Sequence, residues 1–460
     1  MLTLSLQTER PLPPAKARAW VWDSVPSPRL AGLGQHPHPR RRQPVVVRPG
    51  IRNLVPRRES ATPMSSIPRS ELVDRVISTR AREVGNGFPT QTSVPTPGLI
   101  TLSTGTPDFP TPPHIIEAAK RALDRSQTTY TPWTGIPELR RAIATKLARD
   151  NGLTADPDSE ILVTTGTQEA LQVVCKTLLN PEDELLIHAP YYDEYRRDAL
   201  VAGGRLVPVP TRERDNFVID PTEIVPRISP RTKGIILVSP SNPSGTVQPR
   251  DVLVRIAEIA QAHNLIVISD ELYERYVYED HRHYSIAALP GLWERTITIN
   301  GFSKAYSMTG FRVGYIVASA PFIRAMLPLK HGMTICAPSI CQWAALAALE
   351  GPQEWFAPIL AEYDRRRRLW IERLTAMGLT FGYPQGAYYV YINVSNTGLS
   401  AADFAKRLRG EHQIVLGSGG SIGPEWQSYV RGSLAVPYDV LRGGLERIGH
   451  AVEQLKRARI

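Results

Sequence analysis

Short, continuously apolar runs of strand length alternate with helix-length segments from about residue 98 onward. The clearest runs are ILVTT at 161–165, ELLIHA at 184–189, GIILVS at 234–239, LIVISD at 265–270 and TITIN at 296–300. A strand that is apolar on both of its sides must be buried on both faces, as the strands of parallel sheets are. The runs therefore predict an α/β domain with a mostly parallel sheet between layers of helices.

The last third of the chain has a different pattern. A long charged helix is predicted over 361–378, strand candidates follow at 388–394 and 429–436, and a final helix ends the chain. This succession predicts a smaller α+β lobe, and 460 residues are more than one core usually holds. The expected division is a small domain from 64–110 and 346–460 around a large domain from 111–345.

The first 63 residues carry most of the net charge of +10. They contain eleven basic and three acidic residues, a surplus of eight, together with eleven prolines and no sustained apolar period. Such a composition cannot bury a core, so we expect residues 1–63 to be a disordered extension. An extension ahead of a true start at Met64, an organelle transit peptide and a basic arm that binds nucleic acid all fit it. The rest of the chain is nearly neutral, and no nucleic-acid partner is expected.

Composition excludes several other classes of protein. No apolar run reaches the roughly 18 residues that span a bilayer, so no membrane partner is expected. Cys175, Cys336 and Cys341 form no CxxC pair, which fits reduced thiols in the cytoplasm better than disulfides or a zinc ribbon. The arginine run 365–368 is expected to lie on a solvated helix face. No metal site is predicted.

Polar side chains are predicted at the carboxyl ends of neighbouring strands. Lys304 follows the last of the apolar runs, Asp270 ends the run before it with Tyr273 three residues later, and Asn242 lies in the turn SPSNPSGT. Ligands of open α/β sheets bind outside the carboxyl ends of the strands, so these side chains are expected to converge on one crevice. A buried lysine there must be paired, have a shifted pKa or react covalently. Each residue alone has an ordinary structural explanation, but their combination favours a catalytic site.

Together, in this order, these residues resemble the cofactor site of the class I/II aminotransferase family of fold-type I enzymes, which depend on pyridoxal phosphate (PLP). The resemblance runs from about residue 98 to the C-terminus. It is carried by LITLSTGTPDFPTPPHI, YTPWTGIPELRRAI, TTGTQEAL, APYYDEY, SPSNPSGT, DELYERY, GFSKAYSMTGFRVGY and YVRGSLAVP. It implies that the large domain binds pyridoxal 5'-phosphate and contains a seven-stranded, mostly parallel sheet.

The resemblance also implies which residues bind the cofactor. Lys304 would hold it covalently and move a proton to and from the substrate α-carbon. Asp270 would pair with the protonated pyridine nitrogen, while Asn242 and Tyr273 would hydrogen-bond the phenolic oxygen. Further contacts are implied for Gly166, Thr167, Gln168 and Arg312 at the phosphate, for Ser303, for Tyr192 against the ring and for Tyr130 at the phosphate of the partner subunit. A homodimer is therefore expected.

Substrate recognition is implied for Arg431, Asn242 and Gly105. Arg431 would take the substrate carboxylate as a bidentate fork, which a planar guanidinium suits. Two positions depart from the family pattern. Gly301 replaces a serine that donates to the phosphate in many relatives, and Gln168 stands where some aspartate-directed relatives have a lysine. The second departure favours aromatic or other largely neutral amino donors, without excluding aspartate.

These observations predict an aminotransferase that moves an amino group from an L-amino acid to a 2-oxo acid such as 2-oxoglutarate by a ping-pong mechanism. A carbon–sulfur β-lyase or a cyclopropane-forming synthase of the same fold would use the same cofactor residues, and the sequence leaves them open. A serine hydrolase is a remote alternative, because GGSIG at 419–423 fits the G-x-S-x-G pattern with Ser421 as the nucleophile. Pro424 follows at once, where that motif requires a helix.

Overall fold

A computed structural model of the chain describes residues 73, 75–85, 97–418 and 426–458. The extension 1–63 and Ser421 lie outside the described residues. The strands are β1 (Ile100–Thr101), β2 (Ile161–Thr164), β3 (Glu184–Ala189), β4 (Arg205–Pro210), β5 (Thr232–Val238), β6 (Ile266–Asp270), β7 (Thr296–Gly301), β8 (Gly314–Val317), β9 (Thr380–Phe381), β10 (Tyr389–Asn393), β11 (Ile414–Val415), β12 (Gly417–Ser418) and β13 (Tyr429–Ser433). The α-helices are α1 (Thr79–Gly85), α2 (Pro113–Asp124), α3 (Pro137–Lys146), α4 (Gly166–Leu178), α5 (Glu194–Ala202), α6 (Arg250–Ala262), α7 (Ala320–Thr334), α8 (Ser339–Glu350), α9 (Phe356–Ala376), α10 (Ala401–His412) and α11 (Tyr438–Arg457).

A seven-stranded central sheet has the order β2-β8-β7-β6-β5-β3-β4. Neighbouring strands are parallel except at β8, which runs antiparallel to β2 and β7. The apolar runs correspond to β2, β3, β5, β6 and β7, so the predicted mostly parallel sheet is confirmed. The sequence does not predict β4 or β8. β4 carries Pro208 and Pro210 and lies at the sheet edge, where a missing amide donor is tolerated.

Both faces of the central sheet are buried, as the continuous apolar runs require. In β5, Ile235 and Leu237 pack into a core with residues of α6, whereas Ile236 and Val238 pack into a second core with residues of α4 and α5. Successive side chains of a strand point to opposite faces, so one strand contributes to both cores. α4 begins directly after β2 and packs against β7 and β8, which places its N-terminus at the carboxyl end of the sheet.

A second sheet has the order β12-β13-β10-β9, with all neighbours antiparallel. Its strand β13 lies close to α9, because a Cβ added at Gly432 would lie 2.7 Å from Cη2 of Trp370. The indole of Trp370 is fully buried and donates to the carbonyl of Ser433. A parallel pair, β1 and β11, brings the segment after Thr101 beside this sheet. The division into domains at 64–110, 111–345 and 346–460 stays a prediction.

The arginine run 365–368 lies on α9, but the prediction of a solvated face is wrong for two of its members. Arg366 and Arg367 are 4% and 0% exposed. Arg366 pairs with Asp108 at 2.8 Å, and Arg367 pairs with Glu279 at 2.7 Å. Carboxylates from distant segments neutralise these guanidinium groups, which makes their burial tolerable. No helix of the described ranges is long and apolar enough to cross a bilayer.

Candidate active site

A cavity of about 360 Å³ opens at the carboxyl ends of the central strands. It contains most of the side chains that the sequence singles out. They come from the end of β6, from the segments that follow β1, β3, β5, β6 and β7, from the start of α4, from the segment before β8 and from β13. Its predicted lining residues are Gly105, Thr167, Gln168, Tyr192, Asn242, Asp270, Tyr273, Ser303, Lys304, Arg312 and Arg431. The expected convergence on one crevice is therefore observed.

Asp270 ends β6 and is buried against two hydrogen-bond donors. The hydroxyl of Tyr195 donates to Oδ2 at 2.7 Å, and the amide of Leu272 donates to Oδ1 at 3.1 Å. Burial raises the pKa of Asp270, while both hydrogen bonds favour the ionised carboxylate. Such a group is suited to holding a positively charged N–H donor inside the cavity. Sequence reasoning missed Tyr195, although it belongs to the motif APYYDEY.

Lys304 follows β7 and directs its amine into the same cavity. Its Nζ donates to the carbonyl of Gly105 at 2.6 Å. Burial, together with the positive charges of Arg431 and Arg312, lowers the pKa of Lys304 from its usual 10.5 to about 8, and only Asp270 opposes the shift. With a pKa of about 8, roughly a tenth of these side chains are the neutral amine at pH 7 and about half are neutral at pH 8. The neutral amine is the form that acts as a nucleophile or base.

The N-terminus of α4 forms an anion cradle with Arg312. The side chain of Thr165, the residue before the helix, makes no capping hydrogen bond to the first turn, and Glu169 accepts from the backbone amide of Thr165. Free amides and the helix dipole attract an anion at such a terminus. Gly166 has a φ of +74°, and a Cβ at this position would lie 2.4 Å from Nη2 of Arg312. Glycine thus permits both the left-handed backbone and the close approach of the guanidinium.

Arg312 is itself held in an unusual backbone conformation. Its φ is +54°, in the left-handed region that arginine seldom adopts, and its Nη1 donates to the carbonyl of Thr309 at 3.0 Å. Outliers of this kind concentrate at ligand sites. This conformation holds the guanidinium of Arg312 next to the first turn of α4.

Gly301 lies where β7 passes close to that turn. A Cβ added there would lie 3.0 Å from Cγ2 of Thr167 and 3.1 Å from Cα of Gly314. Gly314 is similarly tight, since a Cβ there would lie 2.7 Å from the amide nitrogen of Thr167. A serine at 301 would require Thr167 to move by a few tenths of an ångström. Glycine at position 301, where many relatives have a serine, is therefore found where β7 packs closely against the first turn of α4.

Arg431 on β13 forms the second cationic point of the cavity. Its Nη1 donates to Oδ1 of Asn242 at 2.9 Å, and its Nη2 donates to the carbonyl of Ser103 at 3.0 Å. The guanidinium carbon lies 4.5 Å from the ring centre of Tyr389. Within the described ranges its buried Nε has no hydrogen-bond partner and no carboxylate pairs with it. Neutral groups orient this arginine, so its charge is available to a carboxylate ligand.

Tyrosines connect the two sheets across the cavity. The hydroxyls of Tyr273 and Tyr389 lie 3.0 Å apart, and the hydroxyl of Tyr388 donates to the carbonyl of Gly105 at 2.7 Å. Burial raises the pKa of Tyr273, which therefore stays a neutral phenol. Tyr192 lines the cavity and is 44% exposed. Tyr389 was missed, although YYVYINV shows an aromatic strand, because the sequence does not say which face meets the cavity.

Two residues that were predicted to contact the cofactor, Tyr130 and Gln168, are not directed freely into the cavity of this chain. Tyr130 is 78% exposed and does not line the cavity of this chain. Gln168 lines the cavity, but its side-chain Nε2 donates to both oxygens of Asp198, at 2.9 and 2.8 Å. Asp198 carries no motif that would identify it in the sequence.

A cluster of two carboxylates and a histidine follows Asp270 and has hydrogen-bond partners within the protein. Glu271, Glu274 and His283 place ligand atoms within 4.8 Å of one another. The ammonium of Lys146 contacts Glu274, and Asn151 donates to both glutamates. Although burial opposes ionisation, the positive charge of Lys146 brings the pKa of Glu274 down to about 2. The cluster anchors the segment that follows Asp270.

Positive charge exceeds negative charge in the cavity. In the part of the chain that the structure describes, neither Arg312 nor Arg431 pairs with a carboxylate, whereas Glu194 at the rim is paired with Arg197 at 2.5 Å. One cationic point lies at a helix N-terminus, which suits a phosphate, and the other is a planar fork, which suits a carboxylate. A reactive amine and a buried acid lie in the same space.

Known proteins that are similar to this chain include several aminotransferases. A model of the family "Aminotransferase class I and II" matches residues 97–448. An aspartate aminotransferase of Pyrococcus abyssi is 40% identical over 360 residues, which are 78% of this chain and 92% of the relative. An aromatic-amino-acid aminotransferase 2 of Thermococcus litoralis is 38% identical over 78% of this chain and 93% of its own. The crystal structure of an aromatic aminotransferase from Pyrococcus horikoshii matches with a TM-score of 0.77 and 40% identity, over 79% of this chain and 97% of that one.

These relatives do not favour the lyase, synthase or hydrolase alternatives. The matched region contains Lys304, Asp270, Arg312 and Arg431, and it includes the whole central sheet. The predicted fold and cofactor are confirmed by the same findings. The chain belongs to the class I and II aminotransferases, the PLP-dependent enzymes of fold type I.

Proposed function

We propose that this enzyme transfers the amino group of an L-amino acid to a 2-oxo acid by a ping-pong mechanism, using Lys304 as the covalent anchor and proton carrier. The observation that carries the proposal is the meeting, in a single cavity, of one reactive amine, one buried carboxyl and two arginines that have no carboxylate partner among the residues the structure describes. The two named relatives above are an aspartate and an aromatic-amino-acid aminotransferase, which supports amino acid and 2-oxo acid substrates.

The cavity fits PLP on structural grounds. A cradle that a Cβ at Gly166 would fill lies between α4 and Arg312, and it is suited to the phosphate. Asp270 is suited to the pyridine nitrogen, while Asn242 and Tyr273 are placed for the phenolic oxygen. When bound, PLP supplies an electron sink that stabilises negative charge at the substrate α-carbon.

The side chains of this enzyme then have distinct tasks. The amine of Lys304 would carry a proton from the substrate α-carbon to the bound cofactor within the first half-reaction, and in the opposite direction within the second. Asp270 would pair with the protonated ring nitrogen, and Tyr195 holds the Asp270 carboxylate in place. Arg431 binds the substrate carboxylate and so orients the α-carbon toward Lys304.

Replacement of Arg431 with alanine is expected to lower kcat/KM by about a thousandfold, because two charge-assisted hydrogen bonds are lost. Bound cofactor, measured by absorbance, is expected to stay near one per chain. Arg431→Lys keeps the charge but not the fork and is expected to recover only part of the loss. Equal loss of cofactor and turnover would contradict the role given to Arg431.

The pKa of Lys304 predicts how the apoenzyme captures its cofactor. Only the neutral amine reacts, so the rate of covalent capture of added PLP is expected to rise with pH and level off above about 8. Because the positive charge of Arg431 helps lower this pKa, Arg431→Gln is expected to move the midpoint to higher pH. Stopped-flow absorbance across a pH series measures both curves. A midpoint near 10.5 in the native chain would refute the lowered pKa.

A panel of amino donors with 2-oxoglutarate tests the activity. Formation of glutamate together with a new 2-oxo acid supports transfer, whereas release of ammonia would indicate a lyase. We propose that aromatic and other neutral donors are preferred, because the cations lining the cavity are already assigned to the phosphate, the substrate carboxylate and the proton transfer. A strong preference for aspartate over phenylalanine would overturn that part of the proposal.

We propose that the active unit is a homodimer in which Tyr130 of one subunit reaches the phosphate site of the other. The support is its 78% exposure in a single chain, together with exposed Trp133 nearby in sequence. Light scattering is expected to give the mass of two chains. In mixed dimers of Tyr130→Phe and Lys304→Ala subunits, one site of each dimer would combine both defects and the other would have neither. A fully monomeric and active enzyme would contradict this arrangement.

We further propose that the enzyme acts in the cytoplasm. Its three cysteines all lie within the described ranges and are free thiols, which suits a reducing compartment.

A further inference from the structure

A buried carboxyl group lies directly behind one wall of the active-site cavity. Asp198 on α5 is 1% exposed and is not part of the cavity lining. Both of its oxygens accept from Nε2 of Gln168, and Oδ1 also accepts from Nε2 of Gln172. The two glutamines lie one turn apart on α4, so a single acid on α5 holds two successive side chains of the helix that begins at the phosphate cradle.

The carboxyl is held by amides rather than by cations. Among the described residues no lysine or arginine forms an ion pair with Asp198, and the charged groups facing it are Lys176 on α4 and Glu194 on its own helix. Burial raises the pKa of Asp198 to about 7, and Glu194 adds to the rise, while the amides and Lys176 oppose it. A cation introduced at contact distance would ionise this acid and pair with it.

This arrangement determines what Gln168 presents to the cavity. The amide nitrogen of Gln168 faces Asp198, which leaves its carbonyl oxygen as the remaining polar end of the side chain. Gln168, apolar Leu171 and the carboxylate of Glu194 are taken together as one wall of the cavity. In the described part of the chain the cations that line the cavity are Lys304, Arg312 and Arg431.

We propose that Asp198 determines amino-donor specificity by holding Gln168, so that this wall accepts neutral side chains and rejects a second carboxylate. The inference rests on the proposed function and adds a specificity-determining residue outside the cavity. It predicts that a single cation introduced at position 168 does not create a site for a second carboxylate. The ammonium of a lysine there would pair with Asp198 instead of with a substrate carboxylate.

The test uses the holoenzyme variants Gln168→Lys, Asp198→Asn and the double variant. The measured quantity is kcat/KM for aspartate divided by kcat/KM for phenylalanine. Gln168→Lys alone is expected to raise this ratio less than about threefold, whereas the double variant is expected to raise it by about tenfold or more. Gln172→Lys is the matched control, because Gln172 also contacts Asp198 but does not line the cavity. It is expected to leave the ratio unchanged.

Binding of unreactive ligands gives a second readout. Calorimetry with succinate and 3-phenylpropanoate is expected to show tighter succinate binding in the double variant alone. If Asp198→Asn fails to fold, judged by circular dichroism and by cofactor absorbance, Asp198→Leu removes the carboxyl with an apolar side chain of similar size.

Two results would overturn the inference. One is a full gain for aspartate with Gln168→Lys alone, and the other is an unchanged ratio in an active double variant. Loss of cofactor in Gln168→Lys would also count against it, since it would assign the side chain to the phosphate. Absence of transfer with every donor in the native enzyme would instead refute the proposed function.

Discussion

Lys304→Ala is expected to lower kcat by at least about 10⁴-fold, because the substitution removes both the covalent anchor and the proton carrier. The amine has no substitute nearby, because among the described residues that line the cavity Lys304 is the only lysine. Single-turnover kinetics with phenylalanine measures the loss directly.

Borohydride reduction provides the chemical control for that result. In the native enzyme it is expected to fix the cofactor on the peptide that contains Lys304, and in the variant no peptide is expected to be labelled. Lys120→Ala is the matched lysine variant, since the side chain of Lys120 is 62% exposed and pairs only with Glu117 among the described residues. It is expected to leave turnover unchanged. More than a tenth of native activity in Lys304→Ala would refute the mechanism.

Asp270→Asn is expected to lower kcat by about a thousandfold, because a neutral amide cannot hold the proton on the ring nitrogen that makes the cofactor an electron sink. The fold is expected to persist, since asparagine can still accept from the amide of Leu272 and donate to the hydroxyl of Tyr195. Circular dichroism and the rate of the first half-reaction separate folding from chemistry.

Tyr195→Phe is a milder change at the same site, because it alters a hydrogen-bond partner of Asp270 and not Asp270 itself. It leaves the carboxyl but removes the hydrogen bond that favours its ionised form, so the pKa of Asp270 is expected to rise further. Activity is expected to fall about tenfold, the equivalent of one lost hydrogen bond to a charged group. A loss of only about tenfold in Asp270→Asn, no larger than that in Tyr195→Phe, would mean that the carboxyl itself is not required.

The sequence predicts the central sheet well because its signal is local. Five runs of apolar residues correspond to five strands, and the residues at their carboxyl ends, Asn242, Asp270 and Lys304, meet as expected. β4 has no such signal because it contains two prolines, and β8 has none because it begins within the motif GFSKAYSMTGFRVGY and forms no separate apolar run. Strand length and edge position depend on the neighbours and not on the run itself.

The arginine run on α9 shows where local reasoning fails. Helical periodicity places four successive arginines around the helix, and a solvated face is the ordinary expectation for such a run. Arg366 and Arg367 are buried because Asp108 and Glu279 approach from segments far away in the chain. Nothing in the four residues themselves indicates those partners.

The sequence by itself determined which residue types stand at the ends of which strands. These residues indicated the family, the cofactor and the reactive lysine. The tertiary structure alone decided how each group is tuned. It placed Tyr195 on Asp270, Tyr389 beside Arg431 and Asp198 behind Gln168. Such contacts join residues from separate elements, and pKa values, hydrogen bonds and burial depend on the distances between these residues, which no local pattern in a sequence encodes.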